Sequence, residues 1–235
     1  MRRPIAPRLR PARKGFVSLA VLCLLVTPAR AWSQSASAES SPPASEQAEA
    51  TPAPSQAHST LVWLAGGAAG LGLHELGHVG AAQALGAHPR VKRIQAGPFP
   101  FFAIAHNGVG RRREYAVSAA GFWVQHATAE WILTRHPDLR NERAPFRKGL
   151  LTFHLVTSTV YGIAGLAGTG PSERDTRGMA VSLGRSGVAE GAVGALVWAP
   201  AVLDAYRYMR PESRWAKWAS RGAKIAVVAL VATAH

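Results

Sequence analysis

Apolar and polar positions divide this chain into blocks. After a short basic start, Phe16 to Val26 form an apolar run of eleven residues. Residues 32–60 then lack apolar periodicity and are rich in Ser, Ala, Pro, Glu and Gln. Such a segment cannot bury enough surface to offset chain entropy, so it reads as a disordered tether. From Leu61 the pattern changes abruptly. Residues 61–87 carry one acid, two histidines and no Lys or Arg, and further apolar stretches lie at about 115–134, 149–169, 178–204 and 222–234. At 1.5 Å per residue the first is long enough to cross a bilayer. Gly and Ala recur inside these stretches, as in Gly66-x-x-x-Gly70, where small residues let helices approach closely. The expected fold is an all-α membrane protein, a bundle of three to five transmembrane helices. A small β element is expected after the first helix, within 91–105.

Composition changes the picture only in part. The chain has 235 residues, with 27 Lys+Arg against 13 Asp+Glu, a formal charge of +14. Seven of the basic residues, and no acidic one, lie in residues 1–31, so the high charge is partly a property of the N-terminus. Charged residues make up 17%, against roughly 25% in ordinary soluble domains. Arg2 to Lys14, the apolar run and Ala29-Arg30-Ala31 together read as a signal peptide over 1–31 with an A-x-A cleavage site. Cys23, the single cysteine, lies inside that leader, so the mature chain is expected to form no disulfide. The domain order is then signal peptide 1–31, linker 32–60 and membrane domain 61–235. The expected location is an inner membrane of bacterial type, with the mature N-terminus outside the cytoplasm. The Arg111 to Arg113 triplet and the basic 205–224 segment lack a nucleic-acid motif. Such juxtamembrane cations meet anionic lipid head groups, and no nucleic-acid partner is expected.

The most informative residues are His74-Glu75-Leu76-Gly77-His78. On a helix, positions i and i+4 share one face, so two imidazoles can bind one zinc ion. Zinc lowers the pKa of a bound water to about 7, and Glu75 is placed to act as its general base. Three ionisable residues at membrane depth would each cost at least ~2.5–3.5 kcal/mol to insert, which argues for a cargo.

This pentapeptide resembles the H-E-x-G-H motif of the site-2 protease family of intramembrane zinc metalloproteases. Val79 to Gly86 resemble the family's continuation of small and apolar residues ending in a glycine turn. Ala96-Gly97-Pro98-Phe99-Pro100-Phe101-Phe102 resembles its short sheet. Ser118-Ala119-Ala120-Gly121-Phe122-Trp123 stands where the family has an Ala-Gly-Pro segment opening its next helix, with Phe122 in place of the proline. The resemblance implies a zinc endopeptidase acting on a membrane-protein substrate, with Glu75 catalytic. It also implies an aspartate as third zinc ligand, from a later helix with a Leu-Asp-Gly-like motif. No such motif occurs here. Asp175, 100 residues after Glu75, is the favoured candidate. Asp204 follows with its Leu203-Asp204 pair, and then Glu130, Glu190, His126 and His154.

The resemblance further implies that an edge strand presents the substrate in extended form. Region 91–105 is the candidate, with Ile94, Phe99, Phe101 and Ile104 as apolar contacts. His126 and His154 are candidates for orienting a ligand. Trp63, Trp131, Trp198, Trp215 and Trp218 fit interfacial anchors. The rival expectation is a non-catalytic membrane protein, with or without metal, that binds envelope partners.

Overall fold

The structure, a computed structural model, describes residues 55–96, 99–184 and 188–234, the side chains of 94–101 and 188 excepted. The expected signal peptide, Cys23 and most of the linker lie outside the described residues. Among the described residues, six α-helices and one hairpin follow in order: α1 (Gln56–Ala84), β1 (Arg90–Ala96), β2 (Phe99–Ala105), α2 (Arg111–Arg135), α3 (Pro145–Ala167), α4 (Asp175–Ser182), α5 (Val188–Met209) and α6 (Arg214–Ala229). A 3-10 turn, Leu230–Thr233, follows α6.

Helix α1 starts a little before Leu61, because Ser55 Oγ accepts the His58 amide at 3.2 Å and caps the first turn. It ends at a glycine turn. Gly86 takes φ +70°, and the Ala87 amide returns to the Ala82 carbonyl at 2.7 Å. The hairpin pairs Arg90 with Ala105 through Ala96 with Phe99, antiparallel, as a two-stranded sheet.

The apolar stretch 178–204 is not one helix. It divides into α4 and α5. Gly184, at φ +70°, takes a left-handed conformation that a continuing helix does not allow. Helix α2 begins within the Arg triplet itself, ahead of the start at Glu114-Tyr115 that the residues suggest and of the Ala-Gly segment that the family resemblance places at a helix opening.

Helix α1 packs on α3 and α2, α3 on α5, and α5 on α6, while α4 wedges between α2 and α5. The α1–α3 seam is backbone on backbone. A Cβ at Gly66 would run into the Phe146 carbonyl, and one at Gly149 into the Trp63 carbonyl. The main apolar core gathers Tyr115, Phe122, Met179, Val193, Val197 and Val227. A second, around Ile132, Leu139 and Leu151, joins α2 to α3. Among the described residues one helix, α3, is both long and apolar enough to cross a membrane, with a mean hydropathy of 1.5. The three to five spans expected from the apolar stretches are therefore not established by length and apolarity.

Two helical glycines, one in a seam and one outside it, should respond with opposite signs. Gly149→Ala should lower unfolding stability by about 1–3 kcal/mol through overpacking. Gly72→Ala, in mid-helix with nothing within 4 Å of the added Cβ, should raise it by about 0.5–1 kcal/mol. Denaturant titrations under matched solubilisation check both.

Candidate metal centre

The buried positions of α1 are Gly66, Gly70, His74, His78 and Ala82, a strict i, i+4 series. Three are small, and the two large ones are the histidines. Opposite them runs α2. A Cβ at Gly77 would stand 2.7 Å from the Ala120 carbonyl oxygen, so the motif glycine admits the neighbouring backbone. Gly121 does the same from the other side. A Cβ there would lie 2.5 Å from His74 Cε1 and from His78 Nε2.

This close approach sets both rings. His78 Nδ1 lies 2.7 Å from the Val117 carbonyl, and His74 Nδ1 lies 2.7 Å from Gln125 Oε1. The Val117 oxygen can only accept, so His78 Nδ1 carries the proton and its Nε2 lone pair is free to coordinate. Gln125 fixes His74 in the same sense. The two Nε2 atoms then face one another at 3.1 Å.

Asp175 completes the group. Its Oδ2 lies 3.2 Å from His74 Nε2 and 3.3 Å from His78 Nε2. It is the first residue of α4, not a loop acid paired with Arg174 and Arg177. Arg174 turns away and donates from Nε to Glu190 Oε1 at 2.6 Å. It also donates from Nη1 to the Gly170 and Pro171 carbonyls. That buried anchor holds the turn before α4 and leaves the Asp175 carboxylate aimed at the histidines. Gly178 lets α4 lie against Ser118 of α2. Tyr161 of α3 packs its ring 5.3 Å from Phe122, with its hydroxyl near enough to Asp175 to feel its charge.

His74, His78 and Asp175 form a group that can hold a metal ion. Ligands at ~2.0–2.2 Å in a tetrahedron lie about 3.3 Å apart, and the three separations here are 3.1, 3.2 and 3.3 Å. Two imidazole nitrogens and a carboxylate oxygen converging at that spacing need positive charge among them, which a bound metal ion or a proton on an imidazole supplies. Glu75 is half-buried on the same turn, close enough to His74, His78 and Asp175 to feel their charges.

The other candidates lie elsewhere. Asp204, fully buried, pairs through Oδ2 with His154 Nε2 at 3.2 Å and through Oδ1 with Ser220 at 2.6 Å and Lys224 at 2.9 Å. Glu130 binds Arg207, Arg221 and Lys224. Glu190 holds Arg174. His126 is not a neighbour of the metal-ligand atoms; the adjacent Gln125 has that position, one residue and about 100° of helix away. Gln125 was visible as a polar residue in an apolar run. Tyr161 carried no local signal at all.

A cleft of about 300 Å³ opens beside the centre, lined by His78 and Asp175, by Ala103, Ile104 and Ala105 of β2, and by Glu114 and Ser118. Of the four apolar residues expected to meet substrate, Ile104 is described, and it lines this cleft; the side chains of Ile94, Phe99 and Phe101 lie outside the described residues. Lys92 reaches from β1 to Glu173 at 3.0 Å, across the cleft rim. The ammonium holds the Glu173 carboxyl below the ordinary carboxylate range. Compared with family models, curated proteins and solved structures, the chain finds no match.

The groups behind the ligands should tune metal binding. Gln125→Leu and Tyr161→Phe should each weaken it about 10–100-fold in chelator competition. Asp204→Ala should leave metal stoichiometry unchanged. It should lower stability by about 3–5 kcal/mol, since Lys224 and Arg207 lose a buried partner.

Proposed function

We propose that this protein is a zinc-dependent endopeptidase of site-2 protease type, cleaving a peptide bond in or near a membrane segment of a protein substrate. One observation carries the reading. Three convergent donors, with a carboxylate one residue from the first, open onto a cleft edged by a strand that pairs on one side only. A structural zinc site is closed by four protein ligands, whereas a catalytic one keeps a position open. Here the described residues offer three.

His74, His78 and Asp175 would hold the metal. A zinc ion bound there supplies Lewis acidity and makes water acidic enough to ionise near neutral pH. Glu75 takes the proton from the attacking water and later delivers it to the leaving amine. Val117 and Gln125 keep both imidazoles in the coordinating tautomer. The substrate must unwind, because a helix has its carbonyls committed to hydrogen bonds. Its extended segment adds to the β2 edge at Ala103–Ala105, which aligns the scissile carbonyl with the centre.

Inverted polarity supports a membrane setting. Helix α1 exposes Leu61, Leu64, Leu71, Leu73 and Leu76 while burying two histidines. Helix α6 exposes Trp215, Trp218, Ile225 and Val228 while burying Ser220 and Lys224. In water this arrangement is costly; in lipid it is the expected one.

The test uses the full chain reconstituted with a reporter whose apolar segment carries a helix-breaking Gly-Pro pair. Glu75→Gln should retain metal and lose cleavage by a factor of about 10²–10⁴. Cleavage by Glu75→Gln at the wild-type rate rejects the role of Glu75. Removal of metal by a chelator should abolish cleavage, and added zinc should restore it.

A further inference from the structure

A cavity larger than the metal-centre cleft lies elsewhere. It is an open groove of about 740 Å³ between α2 and α6. On α2 its wall runs through Trp123, Ala127, Trp131 and Arg135, a span of about 18 Å. On α6 it runs through Arg221, Ile225 and Val228. This face of α2 is turned away from the one bearing Val117, Gly121 and Gln125, so the groove is separate from the metal site.

The groove is polarised along its length. Arg221 Nη2 donates to Thr134 Oγ1, which places it beside Arg135 at one end. Tyr115 donates to the Val227 carbonyl, so the two helices run antiparallel and the other end is apolar, between Trp123 and Val228. The basic end is flanked by Trp131, 54% exposed, and Trp218, 69% exposed, with the Arg221 guanidinium 5.3 Å over the Trp218 ring. Indole rings of this kind sit at the level of lipid head groups.

Nearby charge is unbalanced. Arg207, Arg221 and Lys224 share Glu130 and Asp204, the acids that carry the buried network, and Arg135 adds a further cation to the groove wall. Within the groove wall, His126 is 3% exposed and neither of its ring nitrogens meets a hydrogen-bond partner. Trp123 Nε1 also has none. Buried polar atoms left in that state cost free energy and call for a partner. The groove joins a cationic end flanked by indole rings to an apolar end, which suits a ligand with an anionic head and an apolar tail.

We propose that this groove is a binding site for one anionic phospholipid. The phosphate lies on Arg135 and Arg221, which match it by charge and by planar donor geometry. One acyl chain follows Ala127, Ile225 and Val228. The site stands independently of the protease reading.

The test is native mass spectrometry of the full chain in mild detergent, offered phosphatidylglycerol or phosphatidylcholine with identical acyl chains. Wild-type protein should retain one phosphatidylglycerol per chain at least tenfold better than phosphatidylcholine. Ala127→Trp, an exposed position that fills the groove, should reduce retention tenfold or more. Arg135→Gln, at an exposed residue outside the buried network, should lower the preference for phosphatidylglycerol at least threefold. Equal retention of the two lipids overturns the proposal. So does wild-type retention by Ala127→Trp, or a stoichiometric dimer that phosphatidylglycerol does not dissociate and Ala127→Trp does.

Discussion

Helices α1 and α2 meet where almost no side chain separates their backbones, and the metal centre depends on that approach. Gly77 admits the Ala120 carbonyl, and Gly121 leaves room for both imidazoles. Only at this separation can a main-chain carbonyl on α2, that of Val117, reach a ring nitrogen on α1. The same contact brings Gln125 to the other ring. Each ring is then held by its Nδ1, which leaves the two Nε2 atoms to converge. A larger residue at either glycine would separate the helices and release both orienting bonds together. The chemistry of the site is therefore a consequence of packing, not an addition to it.

A second constraint is the distribution of polarity. Several charged and hydrogen-bonding side chains lie inside the bundle beside its apolar cores, and a number of large apolar ones are exposed. Inside, the polar groups form two separate systems. One joins His74, His78, Asp175, Gln125 and Tyr161. The other joins Glu130, Asp204, Arg207, Ser220, Lys224 and His154, and ties α2, α3, α5 and α6 together. Every ion in the second system has a close counter-ion, as buried charge requires. The first brings two imidazole nitrogens and one carboxylate oxygen to a common point at the spacing of a ligand set, which the second does not. Asp204 and Asp175 are both buried aspartates beside histidines, and this difference in partners separates them.

Much of this was legible in the chain. The i, i+4 histidines, the acid between them and the glycine before the second were visible as a constellation. The hairpin was legible from the aromatic and Pro/Gly residues after the motif helix. Helix boundaries were less so. The stretch 178–204 looks continuous in hydropathy, yet a left-handed glycine at 184 divides it. Asp175 was the favoured third ligand, although its charged flanks also allowed a solvated loop acid. Its neighbour Arg174 is instead drawn off by Glu190, sixteen residues later, and no local pattern records that pairing. His126 stood out as the polar residue in its apolar run, while Gln125 beside it makes the contact with His74.

The sequence by itself determined what depends on short range: which segments form helices, which residues share a helical face, and which side chains can ligate a metal. Helical period and residue chemistry suffice for that. Tertiary structure alone decided which carboxylate joins the histidines, which neighbours orient the rings, and where a groove is left between α2 and α6. Those outcomes depend on the approach of helices distant in sequence. Glycines whose absent side chains meet another backbone govern that approach, and a missing atom leaves no periodic trace in the chain that lacks it.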